Sequence, residues 1–335
     1  MAYQPRNMLV TGAAGFIGSN FVTLMLARYQ ELMIVSLDKL TYAGNLDNLS
    51  EVKHHSRHHF VQADILDRDM INQILRQYNI DTIVHFAAES HVDNSIKDPG
   101  AFVQTNVVGT YTLLDAARVF WLKEKHRSED QCRFHHISTD EVFGTLAKTD
   151  PAFTETTAYA PNSPYSASKA GSDHLVRAYF HTYGLPVTIS NCSNNYGPRQ
   201  HPEKFIPTVI RSCLAEQSIP IYGDGTNIRD WLYVGDHCDA IDLIIRKGRL
   251  GESYNVGGNN ELSNLSLAKM ICTLLDQIKP RTLGGYADLL SFVQDRPGHD
   301  WRYAIDNTKM QHELGWLSKV DVKQALTTTI YWFCT

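Results

Sequence analysis

The stretch that decides the fold is MLVTGAAGFIG at residues 8–18. Its apolar start is typical of a buried strand, and it passes through glycines 12, 15 and 18 into a segment of helical periodicity. Glycines let the chain turn tightly and bring backbone N–H groups at a helix N-terminus close to a phosphate. The next predicted strand ends at Asp38, where a carboxylate can accept hydrogen bonds from a ribose. The pattern therefore predicts a dinucleotide site, and the acid favours NAD over NADP.

The rest of the chain extends this pattern outward from the glycine loop. Short β-type runs alternate with longer helical segments up to about residue 190, which predicts a parallel sheet with helices on both faces. Beyond residue 195 the rhythm becomes irregular, with frequent glycine turns. We predict an α/β fold in which a Rossmann-type doubly wound sheet occupies residues 1–193, with some later segments returning to it. Residues 194–335 are predicted to form a smaller mixed α/β lobe that mainly binds substrate. The strands are predicted at 7–11, 33–37, 59–63, 82–86, 133–138 and 187–192, and the helices at 16–29, 67–78, 101–124 and 164–183.

Composition excludes several classes of protein. The 335 residues include 31 Lys and Arg against 36 Asp and Glu, a net charge of −5, so no general basic field is available for nucleic acid. No apolar stretch reaches the roughly 18 residues that a membrane span needs. The six cysteines are scattered without a Cys-x-x-Cys pair, as in free thiols of a reducing cytoplasm. We therefore predict a cytoplasmic protein with no nucleic-acid or membrane partner.

No metal site is predicted. The histidines at 54, 55, 58 and 59 have spacings that could gather a metal on a helix, but no carboxylate or cysteine completes a ligand set. We interpret them as part of a solvated loop. His135 and His136 fall inside a predicted strand and are interpreted as packing residues.

Two groups of polar residues are candidate catalytic groups. Tyr165 and Lys169 are four residues apart at the start of a predicted helix, so they share one face. A nearby ammonium favours the phenolate of a tyrosine, which could then accept a proton from an alcohol. The sequence Thr139-Asp140-Glu141 ends a central strand, where α/β sheets place reacting groups. Adjacent carboxyls in a closed site are driven apart in pKa, so one can serve as acid and the other as base in removing water.

These motifs, taken together, resemble the dTDP-glucose 4,6-dehydratase family of the extended short-chain dehydrogenase/reductases. The glycine loop and the Tyr-x-x-x-Lys pair are features of the whole superfamily. The more specific similarity covers essentially the entire chain and lies at residues 38–45, 87–93, 139–141, 194–198, 202–204, 229–234 and 295–300.

The resemblance implies three steps on dTDP-glucose. Tyr165, assisted by Thr139 and Lys169, takes the C4 hydroxyl proton as hydride passes to NAD. Glu141 then removes the C5 proton while Asp140 protonates the departing C6 hydroxyl. Return of hydride to C6 and of a proton to C5 gives dTDP-4-dehydro-6-deoxyglucose. NAD is regenerated, and the product would enter dTDP-rhamnose or other deoxysugar synthesis.

The family pattern also implies the binding residues. Contacts to NAD are expected from Gly12, Gly15, Phe16, Ile17, Gly18, Asp38, Lys39, Thr41, Asp64, Ile65, Ala87, Ala88, Thr105, Tyr165, Lys169 and Asn195. Contacts to the nucleotide sugar are expected from Ser90, Asn194, Lys204, Phe205, Pro220, Tyr222, Arg229, Asn264, Arg296 and His299.

Other interpretations stay open at this point. A different nucleotide-sugar 4,6-dehydratase would keep Glu141, whereas a 4-epimerase has no need of the Asp140 and Glu141 pair. A non-catalytic NAD-binding protein is a more remote alternative. The sequence departs from the family pattern at Asn94, where arginine is common, and it stops at Thr335, short of the usual tail. An apolar face at 101–124, in a family of homodimers, predicts a homodimer.

Overall fold

The computed structural model describes residues 2–295 and 299–334. Seven parallel strands form its central sheet, in the spatial order β10-β6-β5-β4-β1-β2-β3. The strands are β1 (Asn7–Thr11), β2 (Met33–Asp38), β3 (His58–Gln62), β4 (Thr82–His85), β5 (Arg133–Thr139), β6 (Val187–Cys192), β7 (Asn194–Tyr196), β8 (Ile219–Tyr222), β9 (Ile228–Tyr233), β10 (Ser253–Val256), β11 (Glu261–Ser263) and β12 (Leu290–Val293).

Helices cover both faces of this sheet. The α-helices are α1 (Phe16–Arg28), α2 (Arg68–Gln77), α3 (Val92–Lys97), α4 (Pro99–Phe102), α5 (Thr110–Ala117), α6 (Pro164–Tyr183), α7 (Phe205–Leu214), α8 (Val234–Lys247), α9 (Asn264–Ile278) and α10 (Val322–Cys334). Three further turns are 3₁₀-helical, at Leu46–Val52, Asp140–Phe143 and Tyr286–Leu289. The segments Val103–Gly109, Arg118–Glu124 and Met310–Leu314 are π-helical.

The alternation of side chains along each strand divides the core into two layers. Leu9 of β1 and Ile83 of β4 point to one face and pack with apolar residues of α2, α5 and α6. Met8 and Val10 of β1 point to the other face and pack with residues of α1 and α8. A sheet buried on both faces needs strands that are apolar throughout, which explains the continuous apolar run that opens the chain.

The order of the strands fixes where a ligand can bind. The chain builds outward from β1 to β2 and β3 on one side, and through β4 to β5 and β6 on the other. The connections therefore diverge at β1 and β4, and a crevice opens at the carboxyl ends of these two strands. The doubly wound fold class is confirmed.

The part of the chain beyond β6 adds a second group of elements. Strand β9 pairs with β7 and β11, β8 pairs with β12, and α7, α9 and α10 enclose a separate apolar core with them. Two elements from this half return to the main sheet: β10 pairs with β6, and α8 packs against α1. The division at residue 193 remains a prediction.

Local expectations agree with the structure in most elements. The first six strands lie where the alternation predicts them, within one residue at most bounds. The predicted helix at 101–124 is helical from Pro99, but two π-helical segments interrupt its α-helical hydrogen bonding. The interpretation of His58 as part of a solvated loop is wrong: it begins β3 and is buried, with Nε2 2.9 Å from the Ser36 hydroxyl. Within the described residues, none of the helices is both long and apolar enough for a transmembrane span.

Candidate active site

The glycine loop forms a cradle between β1, α1 and the end of β4. Gly12 has φ +67°, and a Cβ there would lie 2.6 Å from the Ala87 nitrogen. A Cβ on Gly18 would lie 2.3 Å from the Gly12 carbonyl oxygen. Helix α1 begins at Phe16, and its N-cap, Gly15, offers no side chain to the first-turn N–H groups. The cradle therefore presents backbone donors and a positive helix end to an anion, and it fits the diphosphate of a dinucleotide.

Asp38 is held directly beside this loop. Its Oδ2 accepts the Ala14 N–H at 2.9 Å and its Oδ1 accepts the Leu40 N–H at 2.8 Å. Burial raises the pKa of the carboxyl, and these two backbone donors oppose that shift. The residue thus lies at the carboxyl end of β2 with both oxygens held by backbone donors, and its contact with a ribose stays a prediction.

Several predicted NAD residues line the same end of the sheet. Lys39 pairs with Asp64 at 2.7 Å between the ends of β2 and β3. The Ala87 N–H donates to the Thr11 hydroxyl at 3.3 Å, which fixes the exit of β4. Ile65 is buried against Gly109, the last residue of the π-helical segment that contains Thr105. Thr41, Ala88, Phe16 and Ile17 are placed in the adjoining turns and in the first turn of α1.

Thr139, Asp140 and Glu141 follow the end of β5. The Thr139 hydroxyl accepts the Glu141 N–H at 3.2 Å and donates to Asp140 Oδ1 at 3.3 Å. Asp140 is 1% exposed, whereas Glu141 is only partly buried. Burial, followed by the charges of Glu141 and Asp230, raises the pKa of Asp140 well above its ordinary value. The raised pKa favours the protonated form of Asp140, which is the form that a general acid requires.

Tyr165 and Lys169 project from the first turns of α6. A capping box fixes this helix end, since Ser163 and Ser166 each accept a hydrogen bond from the other's backbone N–H. Lys169 Nζ donates to the Ile137 carbonyl at 2.7 Å. Burial, followed by the charge of Glu141, raises the pKa of Tyr165, and the hydrogen bond between Tyr165 and Thr139 opposes this shift. These surroundings favour the neutral phenol, so Tyr165 needs nearby positive charge to ionise.

The predicted substrate residues gather beside this site. Lys204 Nζ donates to the Ser90 carbonyl at 3.1 Å, joining two loops above the sheet. Asn194 on β7 pairs with Trp231 of β9, whose ring lies 6.2 Å from that of Phe205. Arg229 is 5% exposed and lies over the Tyr303 ring at 4.3 Å.

The remaining substrate residues follow the same edge of the second lobe. Pro220 and Tyr222 lie on β8, and the backbone N–H of Asn264, the first residue of α9, donates to the Asn227 carbonyl. His299 Nδ1 lies 2.7 Å from Asp295 Oδ1. Arg229 donates to the neighbouring Asp300 carbonyl at 2.9 Å, which connects β9 to His299. Arg296 lies outside the described residues.

Three buried groups near the site were not identified as functional from the sequence. His237 Nδ1 lies 2.8 Å from Asn195 Oδ1 and thereby orients that predicted NAD contact. His136, interpreted as a packing residue, lies 3.4 Å from Lys169 Nζ. Asp173 lies 3.2 Å from His136. Its position four residues after Lys169 on α6 is a signal that the sequence did contain.

Comparisons with known proteins agree with this geometry. The family model described as GDP-mannose 4,6 dehydratase matches residues 9–329. A dTDP-glucose 4,6-dehydratase of Xanthomonas campestris is 54% identical over 98% of this chain and 93% of its own length. The crystal structure of a Streptomyces venezuelae dTDP-glucose 4,6-dehydratase with NAD bound superposes with a TM-score of 0.88, at 44% identity over 98% of this chain and 97% of that one. A UDP-glucose 4-epimerase of Thermotoga maritima has a TM-score of 0.85 at 28% identity, covering 98% of each chain.

The fold and the site thus define an NAD-dependent enzyme of the nucleotide-sugar class, with a doubly wound cofactor sheet and paired carboxyls beside a Tyr-x-x-x-Lys helix. Within this class, the chain belongs to the dTDP-glucose 4,6-dehydratase family. The resemblance stated from the sequence motifs is confirmed, as is the expectation that NAD is the cofactor.

Proposed function

We propose that this chain converts dTDP-glucose into dTDP-4-dehydro-6-deoxyglucose and water, and that the product supplies dTDP-rhamnose or another deoxysugar. The observation that carries the proposal is the contrast between Asp140, a buried carboxyl with a raised pKa, and its partly exposed neighbour Glu141. An epimerase needs no such acid and base, whereas elimination of water needs both.

NAD fits the cradle formed by Gly12, Gly15 and Gly18, with Asp38 at the ribose end. When bound, NAD supplies hydride chemistry by accepting a hydride from the sugar and later returning it. Because it is restored in each turnover, the protein should retain it through purification. We assign NAD binding mainly to residues 1–193 and nucleotide-sugar binding mainly to residues 194–335.

Tyr165 is proposed to take the proton of the C4 hydroxyl. Its hydrogen bond to Thr139 orients the phenol, and Lys169 four residues later on α6 supplies positive charge on the same face. Burial opposes the phenolate, so its formation depends on this charge and on that of the bound cofactor.

Glu141 and Asp140 are proposed to carry out the elimination. Glu141 removes the C5 proton, and Asp140 gives its proton to the C6 hydroxyl as this leaves. The charge of Glu141 raises the pKa of both Tyr165 and Tyr303, in each case after burial. Glu141 is therefore close enough to influence both Tyr165 on α6 and Tyr303 from the later half of the chain, which supports its assignment as the base.

The substrate's charged part is assigned to the second lobe. Arg229 is held by the carbonyls of Ile228 and Asp300 and by the ring of Tyr303, so its guanidinium is fixed before a ligand arrives. A planar guanidinium suits diphosphate oxygens. Tyr222 is 44% exposed and offers an aromatic surface to the base.

The decisive experiment is incubation of the purified protein with dTDP-glucose and with UDP-glucose, without added NAD. Mass spectrometry would follow the loss of one water. Conversion of dTDP-glucose alone is the expected result, because it requires retained cofactor, elimination and base selectivity together. Isomerisation of UDP-glucose without mass loss would instead identify an epimerase. No reaction even with NAD supplied would contradict the assignment.

We further propose a homodimer formed through the helical segment at 101–124 and the neighbouring α6. Val103, Tyr111 and Tyr183 are 49%, 42% and 48% exposed, which leaves large apolar side chains on two adjoining helices. Light scattering should give twice the mass of the chain, and a monomer at micromolar concentration would contradict this.

A cytoplasmic location is proposed because all six cysteines are free thiols.

A further inference from the structure

A buried chain of polar groups extends from Lys169 through His136 to Asp173. Lys169 Nζ lies 2.7 Å from the Ile137 carbonyl oxygen and 3.4 Å from His136 Nε2. The same His136 nitrogen lies 3.2 Å from Asp173 Oδ1, and neither side chain is exposed. Lys169 itself is 4% exposed. An ammonium, an imidazole and a carboxylate thus follow one another inside the protein.

Three side chains donate hydrogen bonds to the other carboxylate oxygen of Asp173. Oδ2 accepts the Ser138 hydroxyl at 2.7 Å, the Tyr159 hydroxyl at 2.9 Å and the Asn191 amide at 3.5 Å. Burial alone would raise the pKa of Asp173, but His136, Lys169 and Ser138 outweigh it and lower the pKa below its ordinary value. The carboxylate is therefore ionised within the core.

Lys169 needs such a partner because burial lowers the pKa of its ammonium, and Asp173 is the foremost group that opposes this shift. The other titratable groups facing it contribute no negative charge. Burial lowers the pKa of His136 to about 4 and lowers that of His85 well below its ordinary value, and it raises the pKa of the Cys192 thiol to about 12. Tyr165 is neutral for the same reason. A buried cation without a compensating charge would lose its proton.

The geometry of α6 connects this pair to the reaction. Tyr165, Lys169 and Asp173 are spaced by four residues, so they lie on one face of the helix at successive turns. The Ile137 carbonyl that receives Lys169 lies two residues before Thr139, which hydrogen-bonds to Tyr165. The ammonium of Lys169 and the phenol of Tyr165 are thus both held by the carboxyl-terminal end of β5.

We propose that Asp173 is a positioning residue for the proton transfer at Tyr165: its carboxylate, with His136 between, keeps Lys169 protonated and fixes its place inside the protein. This inference rests on the proposed function, in which Tyr165 takes the C4 proton. It assigns a role to two residues that the reaction scheme itself does not use.

The test is the variant Asp173→Asn, which keeps the size of the side chain and removes its charge. We expect kcat to fall at least tenfold, with KM and NAD content unchanged. Loss of the counter-ion makes Lys169 release its proton more readily, so the alkaline limb of the kcat profile should move at least one pH unit lower. Asp173→Glu restores the charge and should return the limb towards its original position.

The matched control is Asp242→Asn. Asp242 also lies on a helix, is buried, and accepts hydrogen bonds from a tyrosine and an arginine, but on α8 behind the opposite face of the sheet. The Asp242→Asn variant should lower the stability of the protein without moving the pH profile of kcat. Equal movement in both variants, or no movement in Asp173→Asn, would overturn the inference.

A second readout does not depend on turnover. In protein labelled with ¹³C at lysine Cε, the Lys169 resonance, assigned with Lys169→Met, reports its protonation directly. Lys169 should stay charged at pH 8 in the unaltered chain and lose its proton at least one pH unit lower in Asp173→Asn. A neutral Lys169 at pH 8 in the unaltered chain would refute the role of Asp173 even if the variant failed to fold. If the unaltered protein left dTDP-glucose intact, the proposed function would fail, and this titration would still decide the electrostatic pairing.

Discussion

Asp140 and Glu141 are neighbours in the chain but lie in different surroundings. The side chain of Asp140 is enclosed, with its Oδ1 receiving the Thr139 hydroxyl, whereas Glu141 reaches the partly open side of the site. The proposed division of work between acid and base rests on this difference in burial rather than on residue type, since both are carboxylic acids.

The first prediction concerns these two residues. Glu141→Gln should lower turnover by about 10² or more, the usual contribution of a general base. Exchange of the C5 hydrogen with deuterated water, followed by mass spectrometry, should also disappear. Asp140→Asn should instead lose water elimination while retaining C5 exchange. Undiminished C5 exchange in Glu141→Gln would show that another group is the base.

The second prediction concerns cofactor retention by Asp38. Asp38→Asn can no longer accept two N–H bonds and remain an anionic ribose acceptor. We expect the NAD content of the purified protein, measured after heat release, to fall at least tenfold. Asp47→Asn, an exposed carboxyl in the turn that follows, is the control and should keep its NAD. Equal NAD content in the two variants would remove Asp38 from the binding site.

Helix α6 shows how a local cap can serve a site. Its first turn carries Tyr165, and the reciprocal bonds of Ser163 and Ser166 fix that turn. Ser163→Ala should lower the free energy of unfolding by about 1 kcal/mol, the usual cost of a lost N-cap. It should also reduce kcat severalfold, because the phenol is less well placed.

The comparison for this third prediction is Asp321→Ala. Asp321 accepts N–H bonds from Lys323 and Gln324 at the start of α10, far along the chain from Tyr165. Urea unfolding should show a similar loss of stability, but kcat should be unchanged. If both variants lost activity equally, the cap of α6 would have no special connection to catalysis.

At the scale of elements, the sequence predicts best where one periodicity dominates. The glycine loop, the first six strands and the bounds of α6 follow from apolar runs, Pro164 and Gly184. The π-helical segments at Val103–Gly109 and Arg118–Glu124 were not predicted, because a short change from i→i+4 to i→i+5 hydrogen bonding has no composition signal of its own. The burial of His58 depends on its pairing with β2, which is a long-range contact.

The same limit applies to the candidate site. The spacing of Tyr165 and Lys169 is local, so their shared face could be predicted. His136 comes from β5 and meets Lys169 only because α6 packs across that strand. The sequence around a histidine in an apolar strand does not show which distant side chain it will contact, so packing was the simpler interpretation.

The molecule as a whole contains several histidines that are buried and neutral. Burial lowers the pKa of His237 to about 3 and that of His136 to about 4. In the unfolded chain these groups bind a proton near pH 6.5. Between those values the unfolded state binds more protons than the native state, so stability is lost as the pH falls.

The fourth prediction follows from this linkage. In His237→Gln, the free energy of unfolding should decline less steeply as the pH falls. Between pH 6 and 4, its slope should be smaller than that of the unaltered protein by about 1.4 kcal/mol per pH unit. Denaturant unfolding of the NAD-free protein at several pH values gives the slope. His312→Gln replaces an exposed histidine and should leave the slope as it was. An unchanged slope in His237→Gln would mean that His237 is protonated in the native state.

The return of β10 to the edge of the main sheet affects how the protein is made. Strand β6 leaves the ribosome well before β10 (Ser253–Val256) has been synthesised. The backbone hydrogen-bonding groups on that edge of β6 stay unpaired until β10 is available. The guanidinium of Arg133 on β5 likewise cannot make its hydrogen bonds to the Ile245 and Gly248 carbonyls until those residues have been synthesised. The nascent cofactor sheet is therefore incomplete during translation, and this interval is when a chaperone would have most to shield.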